Sequence, residues 1–92
     1  MTFTRVEGED KGKIVVYALS TCMWCRMAKK LLQELGVAYE FVDVDLLADE
    51  EKEAAKEEIR RWNPDKSYPT IVINDKDSVS GFDEAEIREK VK

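Results

Sequence analysis

The two cysteines of this 92-residue chain lie in one tetrapeptide, Cys22-Met23-Trp24-Cys25. Two cysteines separated by two residues can close a small disulfide, and a cysteine at a helix start becomes unusually acidic. An apolar, β-branched run precedes the tetrapeptide and an amphipathic helical pattern follows it. The spacing and its strand-helix context together indicate a site of thiol-disulfide exchange.

The two thiols are predicted to have different roles. Cys22 stands where the helix begins, beside unpaired N–H groups and the positive end of the helix dipole, which favour a thiolate. Cys25 lies one turn further in, so we expect it to be more buried, to have the higher pKa and to act as the resolving thiol. Arg26 follows Cys22 by four residues and can share its helix face, which would further favour the thiolate.

The alternative interpretation of the two cysteines is half of a zinc site. Zinc in structural sites takes four ligands. The chain has no third cysteine and no histidine, so a zinc site would need two chains or carboxylates. Redox chemistry is therefore favoured, and no metal ligand is assigned.

Several other residues have both a structural and a functional interpretation. Trp24 is either a helix-start aromatic packed on a neighbouring loop or an exposed apolar contact for a disulfide substrate, and both can hold. The charged segment that ends in Arg60-Arg61 is typical of a solvated helix face. The alternative hypothesis is that Arg60, Arg61 or Lys66 contacts a substrate carboxylate.

Composition limits the class of protein. The length allows one domain. The net charge is −5 without a basic cluster, which makes nucleic acid and anionic membranes poor partners. No apolar run approaches the ~20 residues of a membrane span. Residues 1–10 lack a basic region followed by an apolar one, so we expect no signal peptide and a cytoplasmic location.

The first half of the chain predicts a polar arm and a βαβ unit. Residues 1–12 form the arm, in which Phe3 and Val6 could make a short edge, and residues 13–92 form the domain. Residues 14–19 predict a strand covered on both faces. Ser20 and Thr21 can cap a helix that Gly36 ends, and residues 39–44 predict a second, parallel strand.

The second half predicts a helix, a hairpin and a last helix. Residues 48–62 are a charged helix with a narrow apolar face, and residues 70–73 are a buried strand. A turn leads to a short strand at residues 78–80. Asp83 with Glu86 indicates a capping box for a helix that reaches Val91. The order β-α-β-α-β-β-α predicts an α/β fold with a four-stranded mixed sheet and helices on both faces.

Two segments near the end of the chain have both ordinary and functional interpretations. Tyr68-Pro69 could be a trans proline at a strand start, which base rates favour, or a cis proline whose preceding residue presents its backbone to a substrate. Gly81 and Asp83 could be a turn and a helix cap. Alternatively, residues 81–83 with the helix N-terminus could receive the carboxylate and amine ends of a thiol co-substrate.

Four segments in this order and spacing resemble the glutaredoxin family of the thioredoxin fold, and the match covers roughly residues 13–92. The segments are residues 16–29, 37–45, 67–73 and 80–84. The resemblance implies that Cys22 is the nucleophile and Cys25 the resolving cysteine. It further implies a cis Pro69, pairing of the Tyr68 backbone with a bound cysteinyl group, and a glutathione groove whose far end is formed by Gly81, Phe82 and Asp83.

The sequence departs from the family pattern at four places. Leu19 stands where a lysine is common, and Met23-Trp24 where Pro-Tyr is common. Tyr68 replaces the usual valine, and Ser80 the first glycine of a pair. These departures bear on the glutathione assignment more than on the redox assignment.

Two of the variable segments resemble other members. Residues 80–82 are similar to glutaredoxin-like electron donors of ribonucleotide reductase, which take electrons from thioredoxin reductase. Residues 63–66, before Ser67-Tyr68-Pro69, are similar to glutaredoxin-like proteins that use other small thiols.

The predicted function is that of a cytosolic, monomeric glutaredoxin-like thiol-disulfide oxidoreductase that reduces protein or mixed disulfides. No tightly bound cofactor is expected; glutathione, another low-molecular-weight thiol or thioredoxin reductase would supply electrons. One alternative is an iron-sulfur cluster carrier that uses Cys22 and glutathione across a dimer, although Met23-Trp24 crowds that site. The other is a zinc site shared between chains.

Overall fold

A computed structural model describes residues 1–65 and 67–91 of the chain. Lys66, one of the three cations considered above, lies outside the described residues. The elements are β1 (Thr4–Val6), β2 (Ile14–Ala18), α1 (Met23–Glu34), β3 (Tyr39–Asp43), a short 3₁₀ helix (Val44–Leu46), α2 (Asp49–Trp62), β4 (Thr70–Ile73), β5 (Asp77–Ser80) and α3 (Glu84–Lys90).

One mixed sheet has the strand order β1-β3-β2-β4-β5. Strands β2 and β3 are parallel, as the βαβ pattern predicts, and the other neighbours are antiparallel. The predicted α/β architecture is confirmed, but the sheet has five strands rather than four. The fifth is β1, which lies in the polar arm and pairs with β3, Thr4 opposite Phe41 and Val6 opposite Tyr39.

Helices cover both faces of the sheet because the central strand β2 is apolar on both sides. Ile14, Val16 and Ala18 pack in one core with α1 and α3. Val15 and Tyr17 pack in a second core with α2. Both cores are built from alternate residues of the same strands, as the pleat of a strand requires.

Helix α1 ends just before Gly36, as predicted, but the prediction that Ser20 or Thr21 caps its start is wrong. Cys22 is its N-cap residue. Leu35 is its C-cap, and Gly36 follows with a φ of 72°, a left-handed conformation that glycine adopts without steric cost. The helix buries Cys25 together with Ala28, Leu31 and Leu32, a spacing that keeps one face on the sheet.

Three connections meet at one end of the sheet. The loop after β2 leads to Cys22, and Ala18 at its start pairs with Asp43, the last residue of β3. The connection that enters β4 reaches the same end because Tyr17 pairs with Thr70, and the turn after β5 joins it because Thr70 pairs with Ser80. In the described part of the chain, no helix has the length and apolarity to cross a bilayer.

Candidate active site

Cys22 combines a capping role with partial exposure. Its backbone is extended, and its Sγ accepts a hydrogen bond from the Cys25 N–H at 3.1 Å. The sulfur thus takes the place of the side-chain oxygen that usually caps a helix. Backbone N–H donors and the helix dipole at this position stabilise negative charge on an N-cap group.

Cys25 has the opposite environment. Its side chain is fully buried in the core under α1. Burial is the largest cause of a pKa raised to about 12, followed by the hydrogen bond and the charge interaction with Cys22. A backbone contact with Leu19 and the positive charge of Lys29 act in the opposite direction. Cys25 therefore lies deeper than Cys22, as expected, and burial raises its pKa.

The segment before β4 lies against the nucleophile. The Tyr68-Pro69 peptide bond is cis, as the resemblance implies. The Cys22 thiol donates to the Tyr68 carbonyl oxygen over 4.0 Å. The Gly81 N–H donates to the Pro69 carbonyl oxygen at 2.7 Å. Three segments far apart in the sequence are thus joined around Cys22.

Trp24 packs on a neighbouring loop and is also largely exposed. Its ring stacks on that of Phe82, with centroids 5.8 Å apart and an interplanar angle of 16°. The side chain remains 57% exposed. Phe82 is partly buried against the core under α1 and α3. The stack therefore links the start of α1 to the turn before α3 and still presents an apolar surface beside Cys22.

Asp83 and Arg26 occupy exposed positions at two helix starts. The Asp83 carboxylate accepts the Glu86 N–H at 3.1 Å, so Asp83 is the N-cap of α3, as the capping-box pattern predicts. Arg26 lies at the surface, and its backbone N–H donates to the Cys22 carbonyl oxygen at 3.2 Å. The cation that lowers the pKa of Cys25 is Lys29.

Arg60 and Arg61 are engaged on the surface of α2. Arg60 pairs with Glu57, and Arg61 pairs with Glu58 at 3.3 Å. The guanidinium of Arg61 also lies 5.8 Å from the ring centre of Trp62. These local i,i+3 pairs are typical of a solvated helix face, the first interpretation given to this segment.

Hydrogen bonds from Ser20 to Asp45, here called the Asp45 clamp, hold the loop before Cys22, and the sequence did not indicate them. The Asp45 carboxylate accepts the Ser20 backbone N–H at 2.8 Å and the Ser20 hydroxyl at 2.5 Å. These two bonds lower the pKa of Asp45 below its usual value of 3.8. An acidic residue just past the parallel strand β3 was the available signal, because that end of β3 lies beside the end of β2.

A buried polar network that the sequence also did not indicate holds the segment before the cis proline. The Asn63 amide donates to the Ser67 hydroxyl at 2.7 Å, to the Ser67 carbonyl at 3.2 Å and to the Thr70 hydroxyl at 3.1 Å. The Thr70 hydroxyl donates in turn to the Ser67 carbonyl at 2.8 Å. Asn63 and Thr70 are the buried polar residues of the described chain. Satisfied networks of this kind fix one loop conformation.

Within residues 1–65 and 67–91, no group of three or more aspartate, glutamate, cysteine or histidine side chains is arranged to hold a metal ion. Both cysteines are free thiols in this structure. The arrangement therefore presents a reduced dithiol, with one sulfur at the surface and the other beneath it.

Known proteins are similar in sequence to this chain over most of its length. The sequence model of the glutaredoxin family matches residues 14–78. This chain belongs to the glutaredoxin family. Glutaredoxin 1 of Rickettsia conorii is 41% identical over 61 residues, which are 66% of this chain and 57% of that protein. An uncharacterized glutaredoxin-like 8.6 kDa protein in the rubredoxin operon of Clostridium pasteurianum is 38% identical over 80% of this chain and 91% of that protein.

Solved structures share the fold over more than nine-tenths of the chain. The glutaredoxin of Methanosarcina mazei Go1 superposes with a TM-score of 0.92 at 50% identity, covering 97% of this chain and 86% of that one. The methanoredoxin of Methanosarcina acetivorans gives a TM-score of 0.89 at 52% identity, covering 91% and 88%. The predicted thioredoxin-like fold is therefore confirmed, with one additional edge strand.

Proposed function

We propose that this glutaredoxin is a dithiol oxidoreductase that reduces protein disulfides and mixed disulfides through Cys22 and Cys25. The observation that carries the proposal is the asymmetry of the two sulfurs. The Cys22 Sγ caps α1 at 3.1 Å from the Cys25 N–H, while the Cys25 side chain is fully buried. This asymmetry supports Cys22 as the attacking thiol and Cys25 as the thiol that resolves the intermediate.

The first step is attack by Cys22. Its thiolate adds to one sulfur of the substrate disulfide, a Cys22–substrate S–S bond forms, and the substrate S–S bond breaks. The second substrate sulfur leaves as a thiolate and takes a proton from solvent. The Tyr68 carbonyl, 4.0 Å from the Cys22 Sγ, lies where the backbone of a bound cysteinyl group could pair with it.

The second step is resolution by Cys25. Its thiol loses a proton, its sulfur bonds to the Cys22 sulfur, and the substrate thiolate leaves and is protonated. The Cys22 hydrogen bond and charge help to raise the Cys25 pKa to about 12 in the dithiol. Both causes disappear once Cys22 is in a mixed disulfide, so the Cys25 pKa falls at the stage when its thiolate is needed.

Two electrons from outside then restore the dithiol. Two molecules of a low-molecular-weight thiol, glutathione among them, or thioredoxin reductase with NADPH would reduce the Cys22–Cys25 disulfide. Gly81, Phe82 and Asp83 are the proposed contacts for the far end of such a thiol. They are joined to the cis-proline segment by the 2.7 Å bond from Gly81 to Pro69. We propose that the protein acts as a cytoplasmic monomer.

The test uses Cys22→Ser and Cys25→Ser. Cys22→Ser should lose disulfide reduction, and Cys25→Ser should accumulate a mixed disulfide on Cys22 that is visible by mass spectrometry. Wild-type protein that is oxidised and then placed in glutathione buffer or with thioredoxin reductase and NADPH identifies the reductant. Full activity of Cys22→Ser would refute the mechanism. Visible absorbance and a dimer after anaerobic cluster reconstitution would support the cluster carrier instead.

A further inference from the structure

Lys29 is a partly buried cation on the same helix as the two cysteines. Its ammonium lies 3.9 Å from the ring centre of Phe41 and 3.2 Å from the Asp43 carboxylate. The side chains of Lys29 and Asp43 are each only 20% exposed. An aromatic face and a carboxylate, both on β3, thus fix a side chain that is usually mobile on a helix surface.

Helix spacing and core packing relate this fixed position to Cys25. Lys29 follows Cys25 by four residues in α1, a spacing that puts two side chains on one helix face. Phe41, beneath the Lys29 ammonium, packs against the same core that contains Cys25. Asp43 lies at the end of β3 beside Ala18, the residue from which the chain enters the active-site loop.

We propose that Lys29 is a positioning residue for the resolving step, holding its positive charge where it supports the Cys25 thiolate. This inference rests on the proposed dithiol function and adds a residue to it. In the step concerned, the Cys25 proton leaves to solvent and the new anion attacks the Cys22 sulfur. The Cys22–Cys25 bond forms as the substrate thiolate departs. Lys29 neither gives nor takes the proton; its charge favours the anionic form.

Other charged and titratable groups near Cys25 and Lys29 also influence the titration of Cys25. Burial and then Cys22 raise the pKa of Cys25, the Leu19 backbone lowers it, and Lys29 lowers it by a smaller amount. Tyr68, before β4, has a pKa raised by burial first and then by Cys25 and Asp45, so it is neutral near pH 7. Asp43 pairs with Lys29 from β3. Lys29 is thus a cation of the described chain whose charge acts on Cys25.

The experiment follows both half-reactions in one mixing. Reduced protein is mixed with an equimolar chromogenic aromatic disulfide, which releases one coloured thiolate when Cys22 attacks and a second when Cys25 resolves. The first phase depends on concentration and the second does not. Lys29→Met, which keeps the length and the Phe41 contact, should slow the second phase about three- to tenfold at neutral pH. Its pH profile should move upward by up to about one unit, because one unit is tenfold in thiolate.

Two further variants separate charge from structure. Lys29→Arg keeps the charge and should retain the wild-type pH profile. Lys30→Met removes the next charge along α1, on an exposed side chain, and should leave the second phase unchanged. Denaturant unfolding verifies that each variant is folded.

Three outcomes would overturn the inference. An unshifted profile in Lys29→Met would show that the charge does not act on Cys25. Equal shifts in Lys29→Met and Lys29→Arg would show that packing, not charge, is responsible. A wild-type protein without a concentration-independent second phase would remove the resolving step itself, and with it the proposed function.

Discussion

At the residue scale, one helical turn separates two thiols of very different chemistry. Cys22 takes the N-cap place, where its sulfur meets the Cys25 N–H, and Cys25 is buried beneath it. The same helix start therefore supplies a donor to one sulfur and removes water from the other. Residue identity alone does not distinguish these roles, because the difference arises from position on α1.

The environment of Cys25 predicts its reactivity toward small reagents. Burial is the largest cause that raises its pKa and persists in Cys22→Ser, so the thiolate fraction near neutral pH is small and grows as pH rises. We expect Cys25 in Cys22→Ser to react with iodoacetamide at least about a hundredfold more slowly than Cys22 in Cys25→Ser. Its rate should increase only at alkaline pH. Mass spectrometry of timed alkylations measures both rates, and comparable rates at neutral pH would contradict the assignment.

The stacked pair beside Cys22 predicts that Trp24→Ala weakens substrate binding more than it lowers stability. Trp24 is 57% exposed, so Trp24→Ala removes little buried surface and mainly the stack on Phe82. Such pairs contribute about 0.5–1.5 kcal/mol. We expect the free energy of unfolding to fall by no more than this, and KM for a protein disulfide to rise about three- to tenfold with kcat nearly unchanged.

A double-mutant cycle tests whether the stack or Trp24 alone is responsible. Phe82→Leu keeps an apolar side chain and removes the aromatic partner. If the stack forms the binding surface, the KM effects of Trp24→Ala and Phe82→Leu will not add in the double variant. Additive effects would show that the two rings act independently.

At the scale of elements, two polar clamps set the loops around the dithiol. Asp45 holds the loop before Cys22 through Ser20, and the Asn63–Thr70 network holds the segment before the cis proline. Each clamp joins elements that are distant in sequence. The loops are therefore positioned by side chains from neighbouring elements as well as by their own turns.

The buried network predicts a marked effect of a nearly isosteric change. Thr70→Val removes the hydroxyl that accepts from the Asn63 amide and donates to the Ser67 carbonyl. Loss of a partner in a buried network costs about 1–3 kcal/mol. We expect the free energy of unfolding in urea to fall by about that amount. Thr4→Val on the exposed strand β1 is the matched control and should change it little.

The Asp45 clamp predicts a pH dependence of stability. Hydrogen bonds from Ser20 depress the pKa of Asp45 below 3.8, so its contribution is present above that value and is lost as pH falls through the depressed pKa. The stability difference between wild type and Asp45→Asn should therefore be constant above pH 3.8 and shrink below it. Denaturant unfolding on both sides of that pH measures it. The effect should be small because the carboxylate is exposed.

The sequence predicted the elements better than the contacts between them. The apolar run of β2, the helical spacing of α1 and the Asp83 cap are local signals, and each appears in the structure. No local pattern predicted a role for Lys29, because that role depends on Phe41 and Asp43 in another element. Such pairings need the register of β3 relative to α1, which no local pattern contains.

At the scale of the whole molecule, the arm is joined to the sheet at several points. The Glu9 N–H donates to the Gly36 carbonyl at 2.7 Å, and the Ala38 N–H donates to the Glu9 carbonyl at 2.9 Å. Phe3 meets Tyr17 edge to face with ring centres 6.0 Å apart. The sequence indicated a possible short edge at Phe3 and Val6 but did not count it in the sheet, because a three-residue strand lacks alternation and depends on its partner. The division into an arm at residues 1–12 and a domain at 13–92 stays a prediction.

Gly8 provides a test of how far the arm stabilises the domain. A Cβ at Gly8 would come within 2.6 Å of the Val37 carbonyl carbon and 2.7 Å of the Ala38 nitrogen, so the backbone of the arm would have to move. We expect Gly8→Ala to lower the free energy of unfolding by about 1–3 kcal/mol. Glu7→Ala, at an exposed neighbouring position, should be nearly neutral. An unchanged unfolding midpoint in Gly8→Ala would show that the arm adds no stability.

The pairing of β1 with β3 also determines what the molecule presents to other copies of itself. Without the arm, β3 would be an edge strand with a row of unpaired backbone groups, a template for intermolecular strand addition. The arm covers that row with a strand of only three residues, Thr4–Val6, which offers little length for a further copy to pair with. At the opposite edge, Asp77 of β5 is held by Lys90. A chain whose arm has been displaced should therefore self-associate in a concentration-dependent way while its dithiol stays intact.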